Sequence, residues 1–552
     1  MKSIIKKFFK FSLKSTHVIM AMCISVLVMS SVSWAADYYV ATNGSDGNPG
    51  TLASPWKTIN KANNTLKAGD TAFIKAGTYK EMIKPANSGL NGSPITYSRY
   101  KEDIVKVSNA SGFGANLQGK SFITLYGIQF VGNGDYGVAA LNSSGVYSNI
   151  TIQECYFKDS DSWAHMRFER VDYAKVLDCD FDYTCTATSP CGRDCGFPHG
   201  DLLYVLDSHY GLFEGNTFNN AAHVCMTVRT DSRGDQTYCI IRNNLFNNRL
   251  HHALEIYDKA SNNIIESNII TNAGQDASLN YCGSDGDRTM PRSGHSAMHI
   301  SHGKNNIIRK NLIVNCGKLD LTTWKAGYTP ATNNHIYNNT IDRNQWGWQI
   351  QGDIASYGNV FKNNIFSNSV SYAIYRIINS TPRNNYFNNN NFYGGSFRFS
   401  PESGTISLSN LQSTYSSEWN GNKAANPGYV DAGKSNYNLI ETSPMIDAGA
   451  FLTKTTSAGT GNNIPVQDAG YFSNGLGVVE GDLIQLEGQT QVLKITAINN
   501  NTITVDISSS WKAGLGVSLP FNGGAPDIGM FEGGSIISTP LEAPNTLRII
   551  SQ

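Results

Sequence analysis

NIIRKNLI, residues 306–313, is one copy of a pattern that returns along the central part of the chain. Related copies read ITIQECYF, AKVLDCDF, GLFEGNTF, CIIRNNLF, NIIESNII, HIYNNTI and VFKNNIF. Each places a polar residue after two apolar ones and before another apolar or aromatic one. These polar positions are Cys155, Cys179, Asn216, Asn244, Asn268, Asn311, Asn339, Asn364 and Asn390. Most lie 24 to 28 residues apart, a spacing typical of stacked-coil solenoids.

The pattern predicts a right-handed parallel β-helix. Each copy is too short for a helix and contributes short strands, and neighbouring coils of such a solenoid lie about 4.8 Å apart. An Asn at the same corner of each coil can then bond the backbone and side chains above and below it. We expect Cys155 and Cys179, in the same position, to be buried thiols or a stacked disulfide.

Composition fits this architecture and excludes some partners. The chain has 552 residues, with 43 basic and 43 acidic side chains. That length is large for one globular core but natural for a solenoid, in which only neighbouring coils touch. The balanced charge gives no reason to expect nucleic acid or an anionic membrane as a partner.

The first 35 residues have the form of an export signal. Five lysines between Lys2 and Lys14 precede the apolar run from Val18 to Met29, and Ser33-Trp34-Ala35 offers a cleavage site. We expect cleavage near Ala35 and a secreted or periplasmic bacterial monomer that is not bound to a membrane. Cys185, Cys191 and Cys195 lie close together, which suits disulfides in an oxidising compartment, with a zinc site as the alternative.

The remaining chain divides into four predicted regions. Residues 36–70 form an N-terminal strand and a capping helix in which Ile59, Ala62 and Leu66 share one face. Residues 71–440 form the coils, interrupted by longer loops at 183–198 and 274–294. Residues 441–535 form the ending of the β-helix with a small all-β insert at 463–521, and residues 536–552 form a loose tail.

A column of histidines marks the candidate site. When the coils are aligned on the Asn position, a histidine precedes the equivalent strand in four of them. These histidines are His199, His223, His251 and His295. Along these strands Met226, Val228, Leu254, Ile256, Met298 and Ile300 should point inward and their alternates toward solvent. The catalytic candidates are His199, His223, His251, Glu255 and Tyr257. The substrate-binding candidates are Asp201, Arg229, His295, His299, Arg167 and Glu169.

Three interpretations of this column remain open. It could be a polar stack that satisfies itself along an edge of the solenoid, as Asn ladders do. It could be a groove that recognises and cleaves a polysaccharide. It could be a transition-metal site, because stacked imidazoles can bind zinc. Trp324, Trp346, Trp348 and Tyr375, on later coils, would stack on sugar rings if exposed or fill the core if buried.

The segments around Tyr38–Gly47, Pro55–Ile59 and Asn87–Thr96 resemble secreted bacterial parallel β-helix proteins, among them family 9 pectate lyases and chondroitinase B-like proteins. The resemblance implies the fold and a polysaccharide substrate. Family 9 pectate lyases use a Lys base and calcium held by several Asp, and no matching Asp cluster with an adjacent Lys occurs here. The cofactor is therefore unknown, with calcium possible at Asp178, Asp180 and Asp182.

Two reactions suit the candidate residues. In β-elimination from a uronate, His223, His251 or Tyr257 removes the proton beside the carboxylate, and Arg229 lies near that carboxylate. In glycoside hydrolysis, Glu255 and Asp201 form the carboxylate pair, with Glu169 as a third candidate. We favour the lyase, with the hydrolase second. The alternative from another class is a non-catalytic glycan-binding surface protein.

Overall fold

Short parallel strands stack into three long sheets in the computed structural model of the chain. The structure describes residues 35–160, 162–182, 200–234, 236–249, 251–275, 295–323, 330–352, 356–378, 384–400, 402 and 404–533. The predicted signal peptide, the loops at 183–198 and 274–294 except for two residues, and the tail therefore lie outside the described residues. So do His199, Trp324, Cys185, Cys191 and Cys195.

From the coil that begins at Ile95 to the coil that ends at Phe399, each coil contributes one strand to each sheet. Sheet 1 comprises Asp37–Val40, Thr71–Ile74, Ile95–Arg99, Ile123–Tyr126, Ile150–Gln153, Lys175–Leu177, Leu212–Glu214, Ile240–Arg242, Ile264–Glu266, Ile307–Arg309, His335–Tyr337, Val360–Lys362, Tyr386–Asn388 and Trp419–Asn420. Sheet 2 comprises Gly77–Tyr79, Val105–Val107, Ile128–Val131, Tyr156–Lys158, Asp180–Asp182, Thr217–Asn219, Leu245–Asn247, Ile269–Thr271, Leu312–Val314, Thr340–Asp342, Ile365–Ser367 and Asn391–Tyr393. Sheet 3 comprises Ala115–Asn116, Val138–Leu141, Ala164–Glu169, Asp201–Leu206, Val224–Arg229, His252–Tyr257, Ser296–Ser301, Lys318–Thr323, Trp346–Gly352, Tyr372–Ile378, Ser396–Phe399 and Thr405–Ile406.

Pairing runs from each coil to the next. In sheet 1, for example, Ile241 pairs in parallel with Ile265, and Ile265 pairs with Ile308. Only the last strand of sheet 3, Thr405–Ile406, is antiparallel to its neighbour among the strands of these sheets. The predicted right-handed parallel β-helix is confirmed.

The interior of the solenoid is a continuous apolar stack. The residues of sheet 3 that were predicted to point inward, from Met226 to Ile300, are all fully buried. Sheet 2 adds a column of stacked rings whose centroids lie 4.7 to 5.3 Å apart. This column contains Phe130, Phe157, Phe181, Phe218 and Phe246. Trp348 lies in the same core, whereas Trp346 is half-buried and stacks on Tyr375 at 4.4 Å.

The predicted Asn ladder is present and continues to Asn422. In each step the backbone N–H and the side-chain amide of one Asn donate to Oδ1 of the next, as between Asn268 and Asn311 at 3.0 Å each. A second ladder of the same kind runs five positions earlier in the coils. It contains Asn263, Asn306, Asn334, Asn359 and Asn385. Cys155 and Cys179 are buried free thiols, and the N–H of Cys155 donates to the sulfur of Cys179.

Helix α1, Ile59–Thr65, lies at the N-terminal end. Thr58 is its N-cap and accepts a hydrogen bond from the N–H of Lys61, while Ile59, Ala62 and Leu66 are buried against the first coils. This is the predicted capping helix. Helix α2 is Leu408–Thr414, and short 3₁₀ helices span Ala432–Lys434 and Gly475–Gly477. Among the described residues, no helix is long and apolar enough to cross a membrane.

The C-terminal region forms a separate antiparallel sheet of six strands. These are Thr453–Lys454, Gly459–Pro465, Leu483–Leu486, Val492–Asn499, Thr502–Trp511 and Gly516–Ser518. The predicted insert at 463–521 overlaps this sheet. Its apolar side, with Ile484 and Ile503, packs on the outer side of sheet 1 at Ile264 and Ile307. Two small two-stranded sheets pair Tyr147–Ser148 with Val171–Asp172 and Tyr429–Asp431 with Asn436–Leu439.

Candidate functional site

The outer side of sheet 3 carries polar residues in register. Strand pairing places one residue of each coil beside the equivalent residue of the next. The first row contains Arg167, Tyr204, Thr227, Glu255, His299 and Asp320. A second row, two positions further along the strands, contains Glu169, Leu206, Arg229 and Tyr257. Side chains from distant parts of the sequence thus become neighbours.

The prediction that the alternates of the core residues face solvent is wrong for some of them. Thr227, His299 and Ser301 point away from the core but are only 3%, 7% and 0% exposed. Adjacent coils are one strand spacing apart, so polar side chains of neighbouring strands cover one another. Arg229, Glu255 and Tyr257, by contrast, are partly exposed.

Asp201 and His223 form a carboxylate–imidazole pair at the start of two adjacent strands. Oδ1 of Asp201 lies 2.7 Å from Nδ1 of His223 and also accepts from the N–H of Val224 at 3.2 Å. Asp201 is buried and His223 is partly exposed. Since a carboxylate only accepts, Nδ1 of His223 carries a proton, and Nε2 is the basic nitrogen of the neutral ring. The arrangement fixes both the tautomer and the orientation of the imidazole.

His251, His252 and His295 form a cluster next to this pair. One nitrogen of each ring lies within 4.8 Å of the nitrogens of the other two. The ring centroid of His251 lies 5.0 Å from that of His223 and 4.7 Å from that of His295. Burial lowers the pKa of His251 and of His252 well below the usual value, and the neighbouring imidazoles lower it further. Both rings are therefore neutral at pH 7.

Glu255 and His299 lie side by side on adjacent strands of sheet 3, in the first row of polar residues. Nδ1 of His299 lies 3.5 Å from Oε1 of Glu255, and Nε2 lies 2.7 Å from the hydroxyl of Thr322. Burial raises the pKa of Glu255, but the hydrogen bond with His299 and the interactions with nearby basic groups, Arg229 among them, outweigh burial and lower it overall. Glu255 is therefore an ionised, oriented carboxylate.

Arg229 and Tyr257 lie at the other end of the same strands. The guanidinium of Arg229 binds Asp258 at 2.8 Å and Asp231 at 3.0 Å, and its centre lies 5.8 Å from the ring of Tyr257. His223 precedes the strand that Arg229 ends, and six extended residues span about 20 Å. Arg229 thus lies at the far end of its strand from His223, and two carboxylates already neutralise its charge. Of the three candidate bases, Arg229 lies beside Tyr257 and not beside His223.

Arg167 and Glu169 form a third group on an earlier coil. Arg167 binds Glu169 at 3.3 Å and the hydroxyl of Tyr136 at 3.2 Å, and it lies over the ring of Tyr204. Burial raises the pKa of Tyr204 to about 12, although Arg229 and Arg167 lower it. Tyr204 keeps its proton at neutral pH. This group is separate from the histidine cluster.

His252, Tyr204 and Thr322 also lie on this face and are not among the residues predicted from the sequence. His252 follows the chosen His251 directly, so the His–His pair was the available signal. Tyr204 occupies the same outward-facing strand position as Thr227 and Glu255, so the alternation along the strand could have identified it. Thr322 gave no signal, because its contact with His299 depends on the register between two coils. His199 lies outside the described residues.

In the part of the chain that the structure describes, side chains that could bind a metal ion lie close together at one place. There, His251, His252 and His295 are the one group of three or more His, Cys, Asp or Glu with ligand atoms close enough to share an ion. Asp178, Asp180 and Asp182 do not form such a group. Calcium prefers six or more oxygen ligands. The side chains of the described residues therefore give no support to the calcium site predicted at these aspartates.

Comparison with known proteins agrees with this architecture. Residues 38–225 match a family model described as Pel9A-like, right handed beta helix region, and residues 286–410 match one described as right handed beta helix region. An uncharacterized protein, YwoF, of Bacillus subtilis is 41% identical over 85 residues, 15% of this chain and 18% of that protein. Pectate lyase PEL9 of Emericella nidulans is 28% identical over 141 residues, 22% of this chain and 34% of that protein. The chain thus matches about a third or less of the length of these relatives.

Two solved structures align with the chain at low identity. XylC in complex with xylose has a TM-score of 0.48 at 11% identity, covering 87% of this chain and 99% of that one. Pectate lyase Pel9A has a TM-score of 0.38 at 15% identity, covering 78% of this chain and 95% of that one. With the matched segments and the three stacked sheets, the chain is a pectate-lyase-like right-handed parallel β-helix protein.

Proposed function

We propose that the protein is a secreted, carbohydrate-active enzyme that cleaves a uronate-containing polysaccharide by β-elimination, with His223 as the base. The observation that carries the proposal is the 2.7 Å contact between Asp201 and Nδ1 of His223. A buried carboxylate that fixes the tautomer of a partly exposed imidazole is the usual way to prepare a histidine for proton transfer.

The chemistry needs no water as reactant. Nε2 of His223 takes the proton from the carbon beside the uronate carboxylate, a carbon–carbon double bond forms, and the bond to the glycosidic oxygen breaks. The imidazolium can then return the proton to the leaving oxygen. Asp201 holds the ring through the cycle and stabilises its charged form.

Three further observations support a glycan as substrate. The rows of polar residues on sheet 3 repeat from coil to coil, which suits a long chain molecule. The half-buried Trp346 and its stacking partner Tyr375 lie on later coils of the same sheet and could contact a sugar ring. One curated relative with a matching segment is a pectate lyase.

Hydrolysis by Asp201 and Glu255 is less well supported. Asp201 is bound by His223 and the N–H of Val224, and Glu255 is bound by His299. Each carboxylate thus has an imidazole partner. An inverting hydrolase would instead need one protonated carboxyl group and one carboxylate with room for water between them.

A product screen tests the proposal. The tag-free protein is incubated with polyuronates of differing sugar composition and with neutral glycans, and ultraviolet absorbance of unsaturated ends is measured beside total reducing ends. We expect unsaturated products from at least one polyuronate. Reducing ends without unsaturation would identify a hydrolase, and absence of product from every glycan would favour a binding protein.

A further inference from the structure

We propose that His251, His252 and His295 bind one transition-metal ion of the zinc class beside the Asp201–His223 pair. The three ligand nitrogens already lie within 4.8 Å of one another. Tetrahedral zinc with ligands near 2.0 Å would bring them to roughly 3.4 Å.

Two adjacent strands of sheet 3 hold the three rings. His252 begins the strand His252–Tyr257 and His251 precedes it, while His295 directly precedes the neighbouring strand Ser296–Ser301. The pairing of Leu254 with Met298 fixes the register of these strands. The ring centroids of His251 and His252 lie 4.1 Å apart, and those of His252 and His295 lie 5.7 Å apart. The β-helix backbone thus fixes the positions of all three ligands.

The donor set selects the type of ion. Three imidazole nitrogens suit zinc, copper or nickel, whereas calcium and magnesium prefer oxygen. Three protein ligands leave a fourth position for water or a substrate oxygen, as in catalytic rather than structural zinc sites.

The hydrogen bonds around His251 and His252 indicate how strongly each ring can bind a metal ion. The ring of His251 donates to the backbone carbonyl of His223, which orients it as the outer partners of metal-bound histidines do. His252 differs, because its Nδ1 accepts the N–H of Ser296 at 2.6 Å. Binding through Nδ1 displaces this N–H, and binding through Nε2 requires the ring proton to move to Nδ1, which can then no longer accept the N–H. We therefore expect His252 to be the weakest of the three ligands.

The site also supplies what the proposed reaction needs near its base. A bound cation close to His223 would accept the uronate carboxylate and make the adjacent proton more acidic. This role rests on the proposed function. Metal binding itself rests only on the three histidines, and it can be measured without any glycan.

The test measures binding of Zn²⁺ and Co²⁺ to the full, tag-free mature chain after treatment with a chelator. We expect one Zn²⁺ per chain by isothermal titration calorimetry and elemental analysis. The Co²⁺ form should show visible bands of a nitrogen-ligated site without a thiolate charge-transfer band. The substitutions His251→Gln and His295→Gln should each weaken binding on the order of 100-fold or more, and His252→Gln by less.

The controls separate this site from other metal ligands. His209→Ala removes a half-buried histidine outside the cluster and should leave binding unchanged. Replacing Cys185, Cys191 and Cys195 together by Ser should also leave it unchanged. Circular dichroism melts of every variant verify folding, and the Gln side chain keeps the size and polarity of the site.

Several results would overturn the inference: no stoichiometric binding to the wild-type chain, full binding after both His251→Gln and His295→Gln, or loss of binding in the Ser variant. Failure of the proposed function would look different. It would give a chain that binds Zn²⁺ through the three histidines and yet releases no product from any glycan.

Discussion

Asp201 and His223 come together across two neighbouring coils, 22 residues apart in sequence and 2.7 Å apart in space. The strand pair Leu203–Met226 sets this contact, since it places the first residue of one strand beside the residue that leads into the next. The inward-pointing Leu203 and Met226 are fully buried. The core therefore holds the pair in place from below.

Substitution of Asp201 by Asn tests the role of this contact. Asn has nearly the same shape, but it can donate to Nδ1 and so favour the tautomer with its proton on Nε2, which cannot act as a base. We expect kcat on the active polyuronate to fall about 100-fold or more, with KM little changed. His209→Ala is the matched control and should keep full activity. An unchanged kcat in a folded Asp201→Asn protein would exclude the dyad from the reaction.

The Asn ladder predicts a position-specific loss of stability. Asn268 accepts at Oδ1 from Asn244, and its side-chain amide donates to Asn311 and to the carbonyl of Ile241. Asn268→Ala leaves these buried groups without partners, which should lower the free energy of unfolding by about 2–4 kcal/mol. Asn219→Ala is the control, because its side chain is half-exposed and has a single 3.5 Å contact with Asn247. Denaturant melts of both variants measure the difference, and equal losses would contradict the ladder's role.

Much of the fold was predictable because it is periodic. The spacing of the Asn positions identified the coils, and alternation along the strands identified Met226, Leu254 and Met298 as core residues. The second ladder, from Asn263 to Asn385, has the same spacing and could have been found by the same reasoning. Asn before an apolar pair also suits a turn, so the pattern alone does not distinguish this ladder from a series of turns.

The site was less predictable because it depends on distances across coils. Arg229 was grouped with the histidines since all lie on the same strands, but extended backbone separates it from His223 by about 20 Å. The pairing of Asp201 with His223 depends on which residues of the two strands lie side by side. The loop at 183–198 precedes Asp201, and its length means that this register cannot be counted from the preceding coil. Burial of Thr227 and His299 likewise arises from neighbours on other strands.

The contact between the C-terminal sheet and the solenoid gives a further prediction. Arg309 is buried and donates to both oxygens of Asp482, at 2.6 and 2.7 Å, while also binding Glu266 at 2.6 Å. Arg309→Ala leaves two partly buried carboxylates without the cation they share and should destabilise the protein by about 3 kcal/mol. Asp482→Asn keeps the shape and leaves Arg309 paired with Glu266, so it should cost clearly less. Thermal melts and limited proteolysis of the C-terminal sheet compare the two, and an equal or reversed order would contradict this account.

Asp180 predicts a stability that depends on pH. Burial, together with the negative charge of Asp182, raises the pKa of Asp180 from an ordinary value near 3.8 to about 6. Between these values the folded protein binds more protons than the unfolded chain, so the free energy of unfolding should fall as pH rises from about 4 to about 6 and then level off.

Asp180→Asn removes this titration and isolates its effect. The variant should be more stable than wild type at pH 7, by about 1–2 kcal/mol after allowance for the partial exposure of the side chain. At pH 3.5 the two proteins should be equally stable, because the wild-type carboxyl is then neutral in the folded state and largely neutral in the unfolded one. Urea melts at pH 3.5, 5 and 7 follow the difference. A gap that is the same at all three values would mean that Asn acts through packing, and a less stable variant at pH 7 would show that the carboxylate of Asp180 is stabilised by its surroundings.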